Sequence, residues 1–192
     1  MERIFIGIVG PSGSGKSTLC KTLKQDSELF EHVKLDNYFK PVESFPKKFG
    51  FPNWELPSNL KFDELFRDLK KLQAGEKVET KSLPKKKGDE AKQITLYPRK
   101  YILVEGFILF KDQEVRDLLD TKIYLDMSEE MILERRKMRF GQDHVSDYDT
   151  KVAIPEFLEY GITQKEFADY IISANKSQKE LQDEILRIIS NL

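Results

Sequence analysis

The sequence predicts an α/β fold: a three-layer α/β/α sandwich on a mostly parallel central sheet, with a small β-hairpin insertion and a helical lid. Three observations predict it. Short apolar runs rich in β-branched residues alternate with segments of helical spacing, the pattern of strands covered on both faces by crossover helices. The first run, Arg3 to Val9, passes at once into Gly10-Pro11-Ser12-Gly13-Ser14-Gly15-Lys16-Ser17 and then into a helical segment. The early strands also end on chemistry, namely this glycine loop, Asp36 and Glu105.

The loop from Gly10 to Ser17 fits the phosphate-loop pattern G-x-x-x-x-G-K-[ST]. Its glycines let consecutive backbone N–H groups turn toward phosphate oxygens, and the following helix start adds free donors and a favourable dipole end. Gly10, Ser12, Gly13, Ser14, Gly15, Lys16, Ser17 and Thr18 are therefore the expected nucleotide-binding residues. Lys16 is expected to carry charge to the β- and γ-phosphates of a nucleoside triphosphate, and the Ser17 hydroxyl to be able to ligand Mg²⁺. This points to a P-loop NTPase.

After the first helix, His32-Val33-Lys34-Leu35 reads as a second strand ending at Asp36. The stretch to Pro57, with prolines at 41, 46, 52 and 57, is expected to be an irregular substrate loop over about 36–57. Ser58 or Asn59 is the expected cap of a helix whose Phe62, Leu65, Phe66, Leu69 and Leu72 fall on one face, and Gly75 ends it. Lys77 to Leu83 and Gln93 to Tyr97 read as the arms of a hairpin insertion over about 76–98, with the charged run Lys85 to Glu90 at its tip. Tyr101 to Gly106 is the next strand, a short helix follows over 112–119, and Thr121 to Leu125 is a further strand ending at Asp126. Ser128 caps a helix bearing Arg135, Arg136 and Arg139, and a lid is expected over about 137–150. Lys151 to Tyr160 reads as a helix interrupted by Pro155, and Asp169 to Ser173 as the last strand. Ser177 with Glu180 forms a capping box for a terminal helix.

Composition bounds the rest. At 192 residues the chain is expected to be one domain over 1–192, with a substantial core. Its 32 basic and 33 acidic side chains nearly cancel, which disfavours nucleic acid as a partner. The single cysteine, Cys20, excludes an internal disulfide, suits a cytoplasmic protein and reads as a small buried filler. No apolar run approaches the ~18 residues of a membrane span. The expected partner is a small-molecule substrate, with a homo-oligomer left open.

Among phosphate-loop chemistries, a GTPase would need an Asp-x-x-Gly switch and an Asn-Lys-x-Asp base reader. Asn175-Lys176-Ser177 is followed by Gln178, so the guanine-reading carboxylate is missing. A small-molecule kinase fits the size and the long loop. Such an enzyme needs a base near the acceptor hydroxyl, and Asp36, at a strand end facing the triphosphate, is the candidate. Glu105 is the candidate Mg²⁺ partner of Ser17. Arg135 and Arg139, at i and i+4, form a face able to fold over the phosphates with Lys16 and stabilise transferring charge.

These residues together resemble the uridine kinase, nicotinamide riboside kinase and phosphoribulokinase family over most of the chain. Lys34 to Pro41, Gly50 to Pro57, Ile102 to Phe110 and Arg135 to Arg139 are similar to its base-bearing, aromatic–acid, Glu-Gly and arginine-lid segments. The resemblance implies ATP- and Mg²⁺-dependent phosphorylation of a ribonucleoside 5′-hydroxyl, with Asp36 as base. It further implies Tyr38, Trp54, Glu55, Arg139 and Tyr148 as substrate contacts. Where uridine kinases carry Phe-Asp-His-Pro this chain has Trp54-Glu55-Leu56-Pro57, while its Tyr148-Asp149 segment is similar to the nicotinamide riboside branch. The acceptor therefore stays open between uridine or cytidine and nicotinamide riboside. A kinase of another metabolite (pantothenate, phosphoribulose) and a nucleotide-binding regulatory module are the alternatives.

Overall fold

The computed structural model describes residues 2–82, 90–141 and 144–192. In chain order the strands are β1 (Ile4–Val9), β2 (Phe30–Lys34), the two-residue β3 (Lys47–Lys48) and β4 (Phe51–Pro52), β5 (Val78–Lys81), β6 (Gln93–Leu96), β7 (Tyr101–Gly106), β8 (Thr121–Asp126) and β9 (Tyr170–Ser173). The helices are α1 (Lys16–Asp26), α2 (Phe62–Ala74), α3 (Gln113–Asp117), α4 (Glu129–Arg139), α5 (Ile154–Glu156) and α6 (Gln178–Ile189). Five strands form one sheet in the order β2-β7-β1-β8-β9. All its pairings are parallel.

Strand alternation divides the apolar residues between two cores. Phe5 and Val9 of β1 and Ile102 and Val104 of β7 pack on one face with Leu65, Leu69 and Leu72 of α2 and Val115 of α3. Ile6, Ile8 and Leu103 face the other way, onto Leu19, Cys20 and Leu23 of α1 and Leu181 and Ile185 of α6. The sheet is thus sandwiched as the sequence predicts, and Cys20 is a fully buried filler whose thiol pKa burial pushes up. Among the described residues no helix is long and apolar enough to cross a membrane.

Several boundaries differ from expectation for local reasons. Leu35 and Asp36 lie past the end of β2 in a 3₁₀ turn, Leu35–Tyr38. α2 has no side-chain cap: a 3₁₀ turn at Pro57–Asn59 precedes it, and the Asn59 amide donates instead to the Asn53 carbonyl at 2.6 Å. The expected 151–160 helix is α5 set between π-helical turns at Asp149–Ala153 and Phe157–Gly161, the widened turns accommodating the helix around Pro155. The hairpin insertion is present as the antiparallel pair β5–β6, while Leu83, the charged run from Lys85 to Asp89, and lid positions 142 and 143 lie outside the described residues. Ser128 and Ser177 cap α4 and α6 as expected.

The strand order positions the site. With β7 between β2 and β1, the carboxyl ends of three strands stand side by side, where ligands of parallel sheets bind. Gly106 makes that approach possible: a methyl group there would lie 2.6 Å from Leu35 Cδ2 and 2.7 Å from Leu35 Cβ. Gly106→Ala is therefore expected to destabilise the fold by about 1–3 kcal/mol through overpacking beside Asp36. Urea titration should show a lower midpoint with an unchanged slope, and an unshifted midpoint would refute the tight contact.

Candidate active site

The phosphate loop runs from the end of β1 to the first turn of α1, with Gly13 at φ 89° and Gly15 at φ 93°. Only glycine holds such angles without strain. Side chains also press on the loop: a methyl on Gly15 would lie 2.4 Å from Gln178 Nε2 of α6, and one on Gly13 3.0 Å from Arg135 Cβ of α4. Lys16 Nζ donates to the carbonyls of Gly10 and Pro11 at 2.8 and 2.9 Å and to Ser14 Oγ at 3.3 Å. Burial lowers the Lys16 pKa, while the charges of Glu105 and Asp36 work to raise it.

Glu105, at the end of β7, is buried, and its Oε1 accepts from Ser17 Oγ at 2.7 Å. His32 Nε2 lies 3.4 Å from the same oxygen. Burial opposes ionisation, but the contacts from His32 and Ser17 and the charge of Lys16 outweigh it, holding the carboxyl below the usual glutamate range. Asp36 opens onto the same cleft. Although solvent reaches its side chain, the surrounding protein and then the Glu105 charge raise its pKa, with Lys16 and Arg139 pulling the other way.

The basic helix divides its work differently from expectation. Arg135 does not enter the cleft; its guanidinium donates to the Gly13 carbonyl at 3.0 Å and the Ala174 carbonyl at 2.8 Å. Arg139 does enter it, donating to Ser12 Oγ at 3.1 Å. Arg136, which the sequence reading passed over, lines the cleft and is buried. Its Nε donates to Asp149 Oδ1 at 2.5 Å, and its NH1 nitrogen stands 3.7 Å from Glu55 Oε1.

The substrate loop is built around aromatic edges. Trp54 meets Phe39 and Phe45 edge-on at centroid distances of 5.3 and 4.9 Å. Asn53 beside it is buried and hydrogen-bonded at both ends: its Oδ1 accepts from the Glu55 N–H at 3.1 Å, and its Nδ2 donates to Glu156 at 3.1 Å. The Tyr148 hydroxyl accepts from the Trp54 N–H at 3.2 Å and donates to Glu55 at 3.3 Å. Burial raises the Glu55 pKa against the opposing charge of Arg136. Tyr38 departs from expectation: it is buried in the α2-side core and its hydroxyl donates to Asp68 at 3.0 Å, away from the cleft. The 3₁₀ turn after β2 turns Tyr38 inward while Asp36 stays open.

One cleft of about 940 Å³ brings most of the expected residues together. Ser12, Gly13 and Gly15 to Thr18 line its phosphate end, Asp36 and Glu105 its middle, and Trp54, Glu55, Arg139 and Tyr148 its other walls. Gly10 and Ser14 are buried within the loop and support it from below. Arg136, Asp149, Ser146 and Gln178 line the cleft as well. Of these, only Ser146 and Asp149 left a legible signal, the S-x-x-D spacing of a capping pair. His32 left none.

Comparison with known proteins shows the family of the chain. A family model described as phosphoribulokinase/uridine kinase matches residues 5–179. The uridine kinase of Chlamydia pneumoniae is 31% identical over 207 aligned residues, covering 100% of this chain and 90% of that protein. The structure of a possible uridine kinase from Bacillus stearothermophilus shares the fold at a TM-score of 0.60 and 20% identity, over 90% of this chain and 89% of that one. Phosphoribulokinase from Rhodobacter spheroides does so at 0.65 and 10% identity, over 90% and 70%. With a phosphate loop, an adjoining acid and a basic helix on one cleft, this chain belongs to the phosphoribulokinase/uridine kinase family and is a phosphotransferase acting on an alcohol acceptor.

Proposed function

We propose that the protein transfers the γ-phosphate of ATP, with Mg²⁺, to the 5′-hydroxyl of a ribonucleoside, with uridine, cytidine and nicotinamide riboside as the candidate acceptors. The observation that carries this reading is the position of Asp36, between the phosphate loop and the polar corner of Glu55, Arg136 and Tyr148 on one continuous cleft.

Lys16 and Arg139 reach the phosphate end and are suited to neutralise charge on the transferring group. Asp36 accepts the proton of the attacking hydroxyl, a role for which a pKa above the ordinary aspartate value is an advantage. Glu55 and Arg136 form an acceptor–donor pair suited to the two hydroxyls of a ribose, each of which both donates and accepts. Trp54, Phe51 and Tyr148 supply aromatic surface for a base.

The donor set fits Mg²⁺. Ser17 and Glu105 offer oxygen beside the phosphate loop, and among the described residues no group of three or more His, Cys, Asp or Glu could hold an ion alone. That sparse set suits a cation that takes its other ligands from water and phosphate. When bound, Mg²⁺ would screen charge on the β- and γ-phosphates.

Purified protein with Mg-ATP should phosphorylate at least one of uridine, cytidine and nicotinamide riboside, with pantothenate as the out-class control; turnover of pantothenate alone would overturn the nucleoside reading. Asp36→Asn should lower kcat by about 10²–10⁴-fold, and near-normal turnover would remove Asp36 from the base role. Because the base must be ionised, activity should fall as pH drops through the raised Asp36 pKa, giving an acid limb above the ordinary aspartate range. Glu105→Gln removes a neighbouring negative charge, so the Asp36 pKa should fall toward its ordinary value. A carboxyl-carbon NMR titration would read that shift, and an unmoved Asp36 resonance would refute the coupling.

A further inference from the structure

We propose that Asp149 is a positioning residue for the acceptor: it holds the Nε edge of Arg136 so that the rest of the guanidinium is presented to Glu55 and the cleft. The inference rests on the reading of Glu55 and Arg136 as the acceptor-binding pair.

The geometry is asymmetric. On one side Arg136 Nε is hydrogen-bonded to Asp149 Oδ1, and the other oxygen, Oδ2, accepts from Ser146 Oγ at 2.6 Å. Both carboxylate oxygens are therefore engaged, and Asp149 is only 2% exposed. On the other side the Arg136 NH1 nitrogen stands 3.7 Å from Glu55 Oε1, within ion-pair range but too far for a hydrogen bond. The guanidinium is a planar fork, so fixing its Nε edge sets the direction of its remaining N–H groups. One arginine between two carboxylates, bound tightly to one and loosely to the other, leaves room for a hydroxyl group to bridge the loose side.

Ser146 completes the device. Its hydroxyl accepts from the Asp149 N–H at 3.2 Å while donating to the Asp149 carboxylate, a reciprocal pair that starts the helical turn following the lid. Asp149 is thus fixed by its own backbone before it meets Arg136. Arg136 and Asp149 also stand at the two ends of the lid segment, so the pair ties the return of the chain to the helix it left. A staple of the lid alone and a positioner of Arg136 predict different kinetics. Loss of a staple weakens everything built on the lid, including the Arg139 side of the phosphate site. Loss of a positioner weakens acceptor binding and spares ATP.

The test is initial-rate kinetics of full-length Asp149→Asn and Ser146→Ala, varying ATP and whichever of uridine, cytidine and nicotinamide riboside the wild type phosphorylates. Asp149→Asn should raise the acceptor KM by about 10- to 100-fold. Its ATP KM should stay within about twofold of wild type, with kcat changing less than the acceptor KM. Ser146→Ala should move the acceptor KM in the same direction by less, and it decides the matter should Asp149→Asn fail to fold. An unchanged acceptor KM in an active enzyme, or ATP and acceptor KM values rising together, overturns the inference alone. A wild-type protein inert toward all three nucleosides overturns the functional reading, and the inference with it.

Discussion

A carboxylate at the end of an interior parallel strand must be compensated or it will not stay ionised, and the site depends on how Glu105 meets that constraint. Its compensation comes from two separate elements: His32 from β2, and Ser17 with the charge of the adjoining Lys16 at the start of α1. Each contact therefore also fixes a functional group relative to the sheet. The same negative charge reaches Asp36 and helps raise its pKa, so the two acids of the cleft are electrostatically linked. Gly106 sharpens the arrangement, since its missing side chain lets Leu35 pack against the end of β7 and brings Asp36 beside Glu105.

The wall of the cleft that carries Trp54 and Glu55 solves a different problem. A loop with four prolines lacks four backbone donors, and beyond its own turns and the short β3–β4 pair it must hold Trp54 and Glu55 in register with the phosphate loop. Aromatic edge contacts supply part of the order, through Phe39, Phe45 and Trp54, with Phe39 also stacked on Phe107 at 6.1 Å. Asn53 adds to it by tying the Glu55 N–H to Glu156, which also binds Lys48. A loop ordered in this way before any ligand arrives spares part of the entropy cost of binding.

Legibility in the sequence followed the range of the interaction. The phosphate loop, the strand alternation and the capping box at Ser177 are local patterns, and each is found where the residues predict it. Asp36 and Glu105 were legible because strand ends in a parallel sheet converge by topology. Arg136 was not, because helical spacing groups Arg135 with Arg139 and says nothing about which neighbouring arginine meets an acid beyond the lid. Tyr38 is implied as a substrate contact by the resemblance alone, and nothing in the local sequence marks the 3₁₀ turn that directs it into the core instead. His32 looked like any strand residue; its value lies in a carboxylate 73 positions away.

The placement of α4 follows from the same division of labour among its arginines. An arginine face free to swing over the phosphates would have its guanidinium groups in solvent, but Arg135 is bound to the loop carbonyl of Gly13 and to Ala174 at once. These two bonds join α4 to the phosphate loop and to the segment between β9 and α6. Moving α4 as a rigid body would break both and leave two carbonyls and a charged group without partners. Arg139, one turn further on, already touches Ser12 with α4 in this position. Any closure over the substrates that keeps these bonds must therefore begin after Arg139, where Gly141 turns the chain at φ 61°. The charge that Arg139 offers to the cleft is then preset by the fold.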